Sequence, residues 1–465
     1  MIFTRTPLPL LISAVVLLSG CQFVPKYFKP DAPIPENYPT ATKAGAKSAA
    51  DIGWRDFFQN PELQAVIQSA LENNRDLKTA ALRIEEARAL FNIQRADELP
   101  TLNATGNATR ARQFVLGTMR SSTTYQVGAS LSSFELDFFG RVKNLSNAAL
   151  AQYLATEEAR RAVQISLVGE VAKAWLNERA LAEQSLLASR TLQARETSFD
   201  LVKKRFDAGI TNALELRQSD TLVQSARAAL LAARRQHAQA SNALALLVGA
   251  AGKLPDASAT LSAQNIVADI AAGLPSDLIA HRPDIRSAEQ KLRANQANIA
   301  AARAAFFPRI SLTSGVGLAS DNLSDLFAGS ARTWSFAPQL ILPIFDAGRN
   351  KANLSLAQVR TNIAVADYEK TIQIAFREVA DALAARATID EEVTAQQAVQ
   401  TSQTDRLKLA QARYQNGIAN YLEVLDAERE LFAAEQQLLQ TRLLRLTNAV
   451  DLYRSLGGGL NDSAK

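Results

Sequence analysis

The sequence predicts a mixed α and β membrane protein in which each chain contributes four membrane-type β-strands and two long helical hairpins, organised as an internal tandem repeat offset by 208 residues. Three observations carry that prediction. First, sliding the chain along itself without gaps places Asp76 on Asp284, Pro100 on Pro308, Gly140-Arg141 on Gly348-Arg349 and Glu170-Val171-Ala172 on Glu378-Val379-Ala380. The same offset brings Arg205 onto Arg413, Gly209-Ile210 onto Gly417-Ile418, Asn212 onto Asn420, Leu214-Glu215 onto Leu422-Glu423 and Gly249 onto Gly457. Because the matched positions include Pro and Gly, which punctuate structure, an alanine-rich composition does not account for them. Second, each half contains runs with apolar residues at alternate positions. Third, each half then turns to helix periodicity for about 65 residues, breaks at a glycine and returns.

Residues 1–20 read as a lipoprotein signal peptide. Arg5 precedes an apolar stretch, residues 8–18, which has the length of a secretory core and falls short of the roughly 20 residues a membrane helix needs. It ends in Leu18-Ser19-Gly20-Cys21, which resembles the bacterial lipobox, where cleavage before the cysteine follows its modification with diacylglycerol. Cys21 is the only cysteine, which fits this use and excludes an internal disulfide. Each buried CH₂ of an acyl chain contributes about 0.8 kcal/mol, so a diacylglycerol and an N-acyl chain together anchor firmly. Beyond that covalent lipid no cofactor is expected. Gln22 follows, in place of the Asp that retains lipoproteins at the inner membrane, and this points to the outer membrane.

Residues 21–60 read as an extended acylated arm, because Pro25, Pro30, Pro33, Pro35 and Pro39 fix φ and remove backbone donors. Trp54, Phe57 and Phe58 are expected to dock it. The repeats follow, 61–250 and 271–458, joined by a linker at 251–270 and followed by a tail at 459–465. Each begins with a helix that Pro100 or Pro308 ends. Hairpins are expected at about 101–138 and 309–346, with strands near the ten residues a membrane β-strand requires. In the first, strands 102–112 and 125–137 flank a polar loop at 114–123. In the second, Trp334, Phe336, Pro338, Leu340 and Leu342 alternate with smaller or polar residues, and a polar loop lies at 320–332.

Helical hairpins are expected at about 141–249 and 349–457. Tyr368, Ile372, Phe376, Val379 and Leu383 recur at spacings of four and three, the stripe of a coiled coil whose charged residues are solvated. A helix of that length reaches roughly 95 Å, more than a globular core covers. Gly209 and Gly417, each after a basic last turn, stop the long helices.

Composition excludes other classes. With one Cys and two His, a four-ligand Cys/His zinc site is out of reach. The net charge of +5 is a small surplus of 51 basic over 46 acidic residues without a basic run, so a nucleic-acid partner is not expected. His237 lies within a helix and His281 beside a helix start, neither near a plausible nucleophile constellation, and no G-x-x-x-x-G-K-[ST] phosphate loop is present, so an enzyme is not expected. Four strands cannot close a membrane barrel, since open edges in lipid leave backbone groups unsatisfied and about eight strands is the smallest closed form. Assembly of several chains is therefore forced.

The ordered set of lipobox, Asp51-Ile52-Gly53-Trp54, Glu135-Leu136-Asp137-Phe138-Phe139-Gly140-Arg141, His281-Arg282-Pro283-Asp284, Ala304-Ala305-Phe306-Phe307-Pro308, Leu342-Pro343-Ile344-Phe345 and Ala449-Val450-Asp451-Leu452-Tyr453 resembles the outer-membrane factors of tripartite efflux pumps. These form the TolC superfamily, and the likeness is to its lipoprotein branch, of which OprM and MtrE are typical. The resemblance covers essentially the whole chain. It implies a homotrimer with a twelve-stranded outer-membrane β-barrel continuous with a periplasmic α-helical barrel, the 251–270 segment lying in an equatorial region. It further implies a passive exit duct for drugs and other small toxic compounds, docked to a periplasmic membrane-fusion adaptor and an inner-membrane RND transporter. Service to a type I secretion or metal-export system is an alternative within the family, and a structural periplasmic coiled-coil lipoprotein is one outside it.

By the same resemblance, Leu422 forms a hydrophobic constriction at the periplasmic end, and Asp426 and Arg429 supply a polar ring and inter-helix links that hold it shut. Read from the residues alone, Asp426 and Arg429 are a surface i,i+3 pair contributing roughly 0.2–0.5 kcal/mol. The first repeat places Leu214, Gln218 and Thr221 at the matching positions, so only the second hairpin is expected to carry the gate. The tips, Arg205, Gly209, Ile210, Arg413, Gly417 and Ile418, are candidate adaptor contacts, although each Gly also serves a left-handed turn.

Overall fold

A proline ends the first helical stretch of each repeat and hands the chain to a strand. The computed structural model describes residues 27–39, 49–115, 117–249, 260, 261, 264, 266, 270, 272, 273 and 275–462. Cys21, the leader and most of the 251–270 segment lie outside the described residues. The helices are α1 (Trp54–Phe57), α2 (Pro61–Asn73), α3 (Arg75–Ala96), α4 (Arg141–Asp207), α5 (Ala213–Val248), α6 (Pro275–His281), α7 (Pro283–Ala304), α8 (Arg349–Gln415) and α9 (Tyr421–Ser455). The strands are β1 (Leu102–Val115), β2 (Thr118–Leu136), β3 (Arg309–Ser320) and β4 (Arg332–Ile341), in one antiparallel sheet of order β1-β2-β3-β4. Both α4 and α8 run for 67 residues, and α5 and α9 return over 36 and 35. Among the described residues no helix is long and apolar enough to cross a membrane. The chain divides into two units, 1–31 with 82–157 and 287–370, and 32–81 with 158–286 and 371–465.

In the first unit the sheet's register sorts its side chains. One face collects Ala104 opposite Ala129, then Val316 and Trp334; the next rows add Gly106, Val127, Leu318 and, at its outer end, Arg332, and Leu102, Leu131, Ser314 and Phe336. The other face collects Asn103, Ser130, Gly315 and Ser335, and Thr105, Gly128, Gly317 and Thr333. A single irregularity between Leu131 and Phe134 preserves this sorting. Positions 125–131 reach the apolar face on odd numbers, whereas Phe134 and Leu136 are even. The bulge, with Ser133 at φ 46°, absorbs one residue and keeps both on the apolar side. From the Leu136 row to the Tyr125 row this face runs for about ten residues, which at ~3.3 Å per residue and a tilt near 40° spans roughly 25 Å, the height of a membrane barrel's apolar band. Trp334 is 81% exposed and Val316 67%, as expected of side chains that meet lipid.

The expected polar loop at 114–123 is corrected by the structure. β1 and β2 pair without interruption from Leu102 with Leu131 out to Val115 with Thr118, so the strands hold 14 and 19 residues. Gly117 at φ 83° permits the tight reversal, and the Ser121-Ser122-Thr123-Thr124 run is β-compatible although polar. The second loop does form, with short 3₁₀ turns at Leu323–Asp325 and Gly329–Ala331. In the same unit the arm is clasped to α7. Tyr27 Oη and Lys29 Nζ each donate to Glu289 at 2.9 Å, the Gln296 amide bonds both backbone groups of Phe28, and Arg293 lies 4.5 Å above the Tyr27 ring.

In the second unit, the single helix expected at the start of each repeat is two helices. Asn74, extended at ψ 130°, interrupts the first; its Oδ1 accepts from Leu77 N–H at 2.9 Å and its Nδ2 reaches the Leu247 carbonyl at 2.8 Å. Arg282, held before Pro283, interrupts the second. It donates to Glu378 at 2.8 Å, Asp284 at 2.6 Å and the Ser455 carbonyl at 2.9 Å, and these carboxylates keep its pKa raised against the opposing effect of burial. A short-range pattern cannot see these breaks, because their partners lie on distant helices. The arm ends here too. Trp54, Phe57 and Phe58 are fully buried; Trp54 Nε1 donates to Asp462 at 2.6 Å, and Phe57 stacks on Tyr453 with centroids 4.0 Å apart.

Candidate functional site: the hairpin turns

The turns of both helical hairpins lie in the second unit. Each long helix ends in the same motif. Gly209 N–H bonds to Phe206 O and Ile210 N–H to Arg205 O; Gly417 N–H bonds to Tyr414 O and Ile418 N–H to Arg413 O. These satisfy carbonyls left open at the helix ends, and they require the left-handed φ of 72° and 73° that glycine adopts without strain. Ile210 and Ile418 project outward, 66% and 70% exposed. The tip arginines are engaged within the chain: Arg205 sits 4.8 Å above the Tyr414 ring and Arg413 is 3.6 Å from Glu423.

Behind the turns the hairpins share a core of Val202, Ala410, Tyr421, Val424, Leu425 and Ala427. Tyr414 Oη donates to Glu215 at 2.9 Å, and burial with that bond pushes its pKa up to about 12. Glu215 also takes a short bond from the Thr211 hydroxyl, and its backbone N–H is capped by Asn212. Asn420 holds the same place before α9 without a side-chain cap bond. Deeper, Glu428 faces Arg195 and Ser198 of α4; burial raises the carboxyl's pKa and lowers that of Arg195, whose Nη1 bonds to the Leu222 carbonyl and Ser225.

Leu422, on the first turn of α9, is 55% exposed and presents an apolar side chain to the outside of its own chain. One turn later Asp426 accepts from Arg429 at 2.5 Å along the helix and from Arg406 of α8 at 2.5 Å across the hairpin. The inter-helix link is therefore Arg406 to Asp426, while Arg429 forms the i,i+3 bond and also reaches Glu430 at 3.1 Å. Sequence reasoning missed Arg406, which lies 20 residues before its partner. A signal existed in the repeat: Arg406, Asp426 and Arg429 fall on Ser198, Gln218 and Thr221, so all three charges are specific to the second half.

His237 has closer company than its sequence neighbourhood suggests. Its Nε2 lies 2.7 Å from Glu178, to which Ser241 Oγ also donates at 3.3 Å. Serine and imidazole thus share one carboxylate, and the serine hydroxyl bonds the His237 carbonyl at 3.0 Å rather than the ring. That arrangement fastens α4 to α5 and lacks the hydroxyl-to-imidazole contact of a nucleophilic relay.

Comparison with known proteins accords with this construction. The chain matches the Outer membrane efflux protein family twice, over residues 66–250 and 274–458. Both the starts (274 − 66) and the ends (458 − 250) differ by 208, the internal offset. Outer membrane protein OprJ of Pseudomonas aeruginosa is 46% identical over 462 residues, covering 97% of this chain and 96% of that one. Cation efflux system protein CusC of Escherichia coli K12 is 44% identical over 459 residues, 98% of this chain and all of that one. The crystal structure of the open state of the Neisseria gonorrhoeae MtrE outer membrane channel matches with a TM-score of 0.88 at 40% identity, covering 96% of this chain and 100% of MtrE. A repeated helical hairpin, a lipid-facing four-stranded sheet and likeness along nearly the full length converge: the chain belongs to the outer membrane efflux protein family and is an outer-membrane efflux channel.

Proposed function

We propose that three copies of this chain form the exit duct of a tripartite multidrug efflux pump, anchored by acyl chains on Cys21 and closed at its periplasmic end until assembly with its partners. The observation that carries the reading is the sheet itself. Four strands with one apolar face leave β1 and β4 as unpaired edges, which lipid does not tolerate. Pairing β4 of one copy with β1 of the next closes twelve strands in a trimer and leaves no edge. The polar face, lined by Asn103, Thr105, Ser130, Thr333 and Ser335, then bounds a water-filled passage.

At the other end Leu422 supplies an apolar constriction and Asp426, held by Arg406 and Arg429, a ring of charge. Opening requires α9 to shift against α8 within the second hairpin, which breaks the Arg406–Asp426 link while the glycine turns keep their form. Ile210 and Ile418, exposed beside those turns, suit contact with the helical hairpin of a periplasmic membrane-fusion adaptor, which in turn connects to a proton-driven RND transporter. The relative CusC is named for cation efflux, so a metal-export duct is the second reading. Purified protein imaged in detergent is expected to show threefold symmetry with a rod below a short barrel, and to conduct in planar bilayers. A compact monomer, or a trimer that never conducts, defeats the proposal, and co-purification with a drug-pump or metal-pump adaptor separates the two readings.

A further inference from the structure

The two β-hairpins differ in charge. From residue 99 to residue 134 the chain contains Arg110, Arg112 and Arg120 and not one carboxylate, whereas the second hairpin offsets Arg309 and Arg332 with Asp321 and Asp325. The register fixes where these charges point. Arg110 is opposite Thr123 and Arg112 opposite Ser121, in rows that continue Leu102, Ala104, Gly106 and Ala108 on the apolar face. Arg120 is opposite Gln113, on the polar face. All three are exposed.

Height along the strand decides what the first two meet. The apolar band ends at the row of Ala108 and Tyr125, and the next two rows outward, on the side of the turn, are those of Arg110 and Arg112. With the helices in the periplasm, that turn is the extracellular end. Two guanidiniums spaced by one pleat thus stand just beyond the hydrocarbon on the lipid-facing side. An outward arginine is strongly disfavoured at mid-bilayer and nearly neutral at the interface, where its fork of donors matches a phosphate. Phe114 and Met119, paired at the tip on the same face, lie past the reach of a 25 Å band and do not move the arginines into it.

We propose that Arg110 and Arg112 form a binding site for the phosphate groups of anionic lipid in the outer leaflet, two guanidiniums per chain standing beyond the apolar band, with Arg332, opposite Leu318 on the same face, one row inside it. The inference rests on the reading that this face meets lipid. It is tested on the full-length protein in detergent by native mass spectrometry, with diphosphorylated lipid A and its dephosphorylated form as probes. The unmodified protein is expected to retain the phosphorylated lipid about tenfold or more over the dephosphorylated one. Arg110→Gln with Arg112→Gln removes that preference and Arg120→Gln keeps it. Equal retention of the two lipids by the unmodified protein overturns the proposal whatever any variant does, as does full preference in the double variant. Displacement of the lipid by millimolar inorganic phosphate reassigns the site to a free anion and also overturns it. Bilayer conductance of the same preparations separates the outcomes: if the unmodified protein fails to conduct, the barrel reading is at fault, whereas conduction without lipid preference condemns the phosphate site alone.

Discussion

The two helical hairpins have the same turn and different charge. Both long helices end with a left-handed glycine and the same pair of backbone bonds, so the reversal itself was kept through duplication. Beyond the turn they diverge. The first hairpin has Ser198, Gln218 and Thr221 where the second has Arg406, Asp426 and Arg429, and its helix α5 is capped by Asn212 where α9 starts uncapped. The first hairpin is tied across its helices by Arg227 with Glu196 at 3.0 Å, and the second by Arg406 with Asp426, which Arg429 also bonds. Duplication thus supplied two hairpins with one turn and different charges behind it.

Four changes sharpen or break that contrast. The largest effect is expected in the sheet, where only the first repeat carries a bulge. Leu131→Lys with Val316→Lys puts two charges in the middle rows of the apolar face, and outer-membrane fractions assayed on seminative gels should lose about tenfold or more of the assembled protein. Deleting Ser133, the one extra residue, leaves Phe134 two places after Leu131 on the same face and should be tolerated. Next, Asp426→Ala with Arg429→Ala should raise bilayer conductance by about an order of magnitude if each broken charged bond is worth about 1 kcal/mol of closure. The matched change in the first repeat, Gln218→Ala with Thr221→Ala, should leave conductance within about twofold, and an equal rise from both pairs would mean that the asymmetry has no functional weight.

A third comparison concerns the glycines that end the returning helices. Both Gly249 and Gly457 have positive φ, 70° and 86°, so alanine costs roughly 1–2 kcal/mol at either. At Gly249 a Cβ also meets the Asn73 carbonyl oxygen at 2.6 Å, whereas at Gly457 the nearest atom, the His281 oxygen, is 3.7 Å away. Gly249→Ala should therefore lose about 1–3 kcal/mol more in thermal unfolding than Gly457→Ala.

The smallest effect is a pH slope at the tips. Glu428 lies between α9 and Arg195 of α4, and burial raises its pKa; its repeat counterpart is the shorter Asp220. A carboxyl raised on folding holds its proton better in the native chain. Its contribution to stability is complete below the unfolded value of about 4.3 and is lost as pH climbs through the folded one. Glu428→Gln should match the parent in melting temperature near pH 4 and exceed it near pH 8.

Much of the architecture was legible in the sequence, because Pro100, Pro308 and the paired glycines mark element ends locally and the repeat gave each mark a second instance. What escaped depended on neighbours far along the chain. Residues 114–123 look like a loop by polarity, yet a strand beyond the apolar band has no need of apolar residues, and pairing with β1 is what holds it. Asn74 and Arg282 break helices to reach Leu247, Glu378 and Ser455. At the aperture, Asp426 and Arg429 were visible as a pair three apart, but the partner that crosses between helices, Arg406, is set by hairpin register.

The bond from Trp54 to Asp462 joins residues 408 positions apart, and the Phe57–Tyr453 stack nearly as many. Neither can form until the final turn of the chain has been delivered, so a polypeptide arriving amino end first keeps three large aromatics uncovered for its whole passage. Closure of the arm is therefore a completeness check. A chain that stops short of residue 453 lacks both partners and leaves Trp54 and Phe57 without the cover they have here.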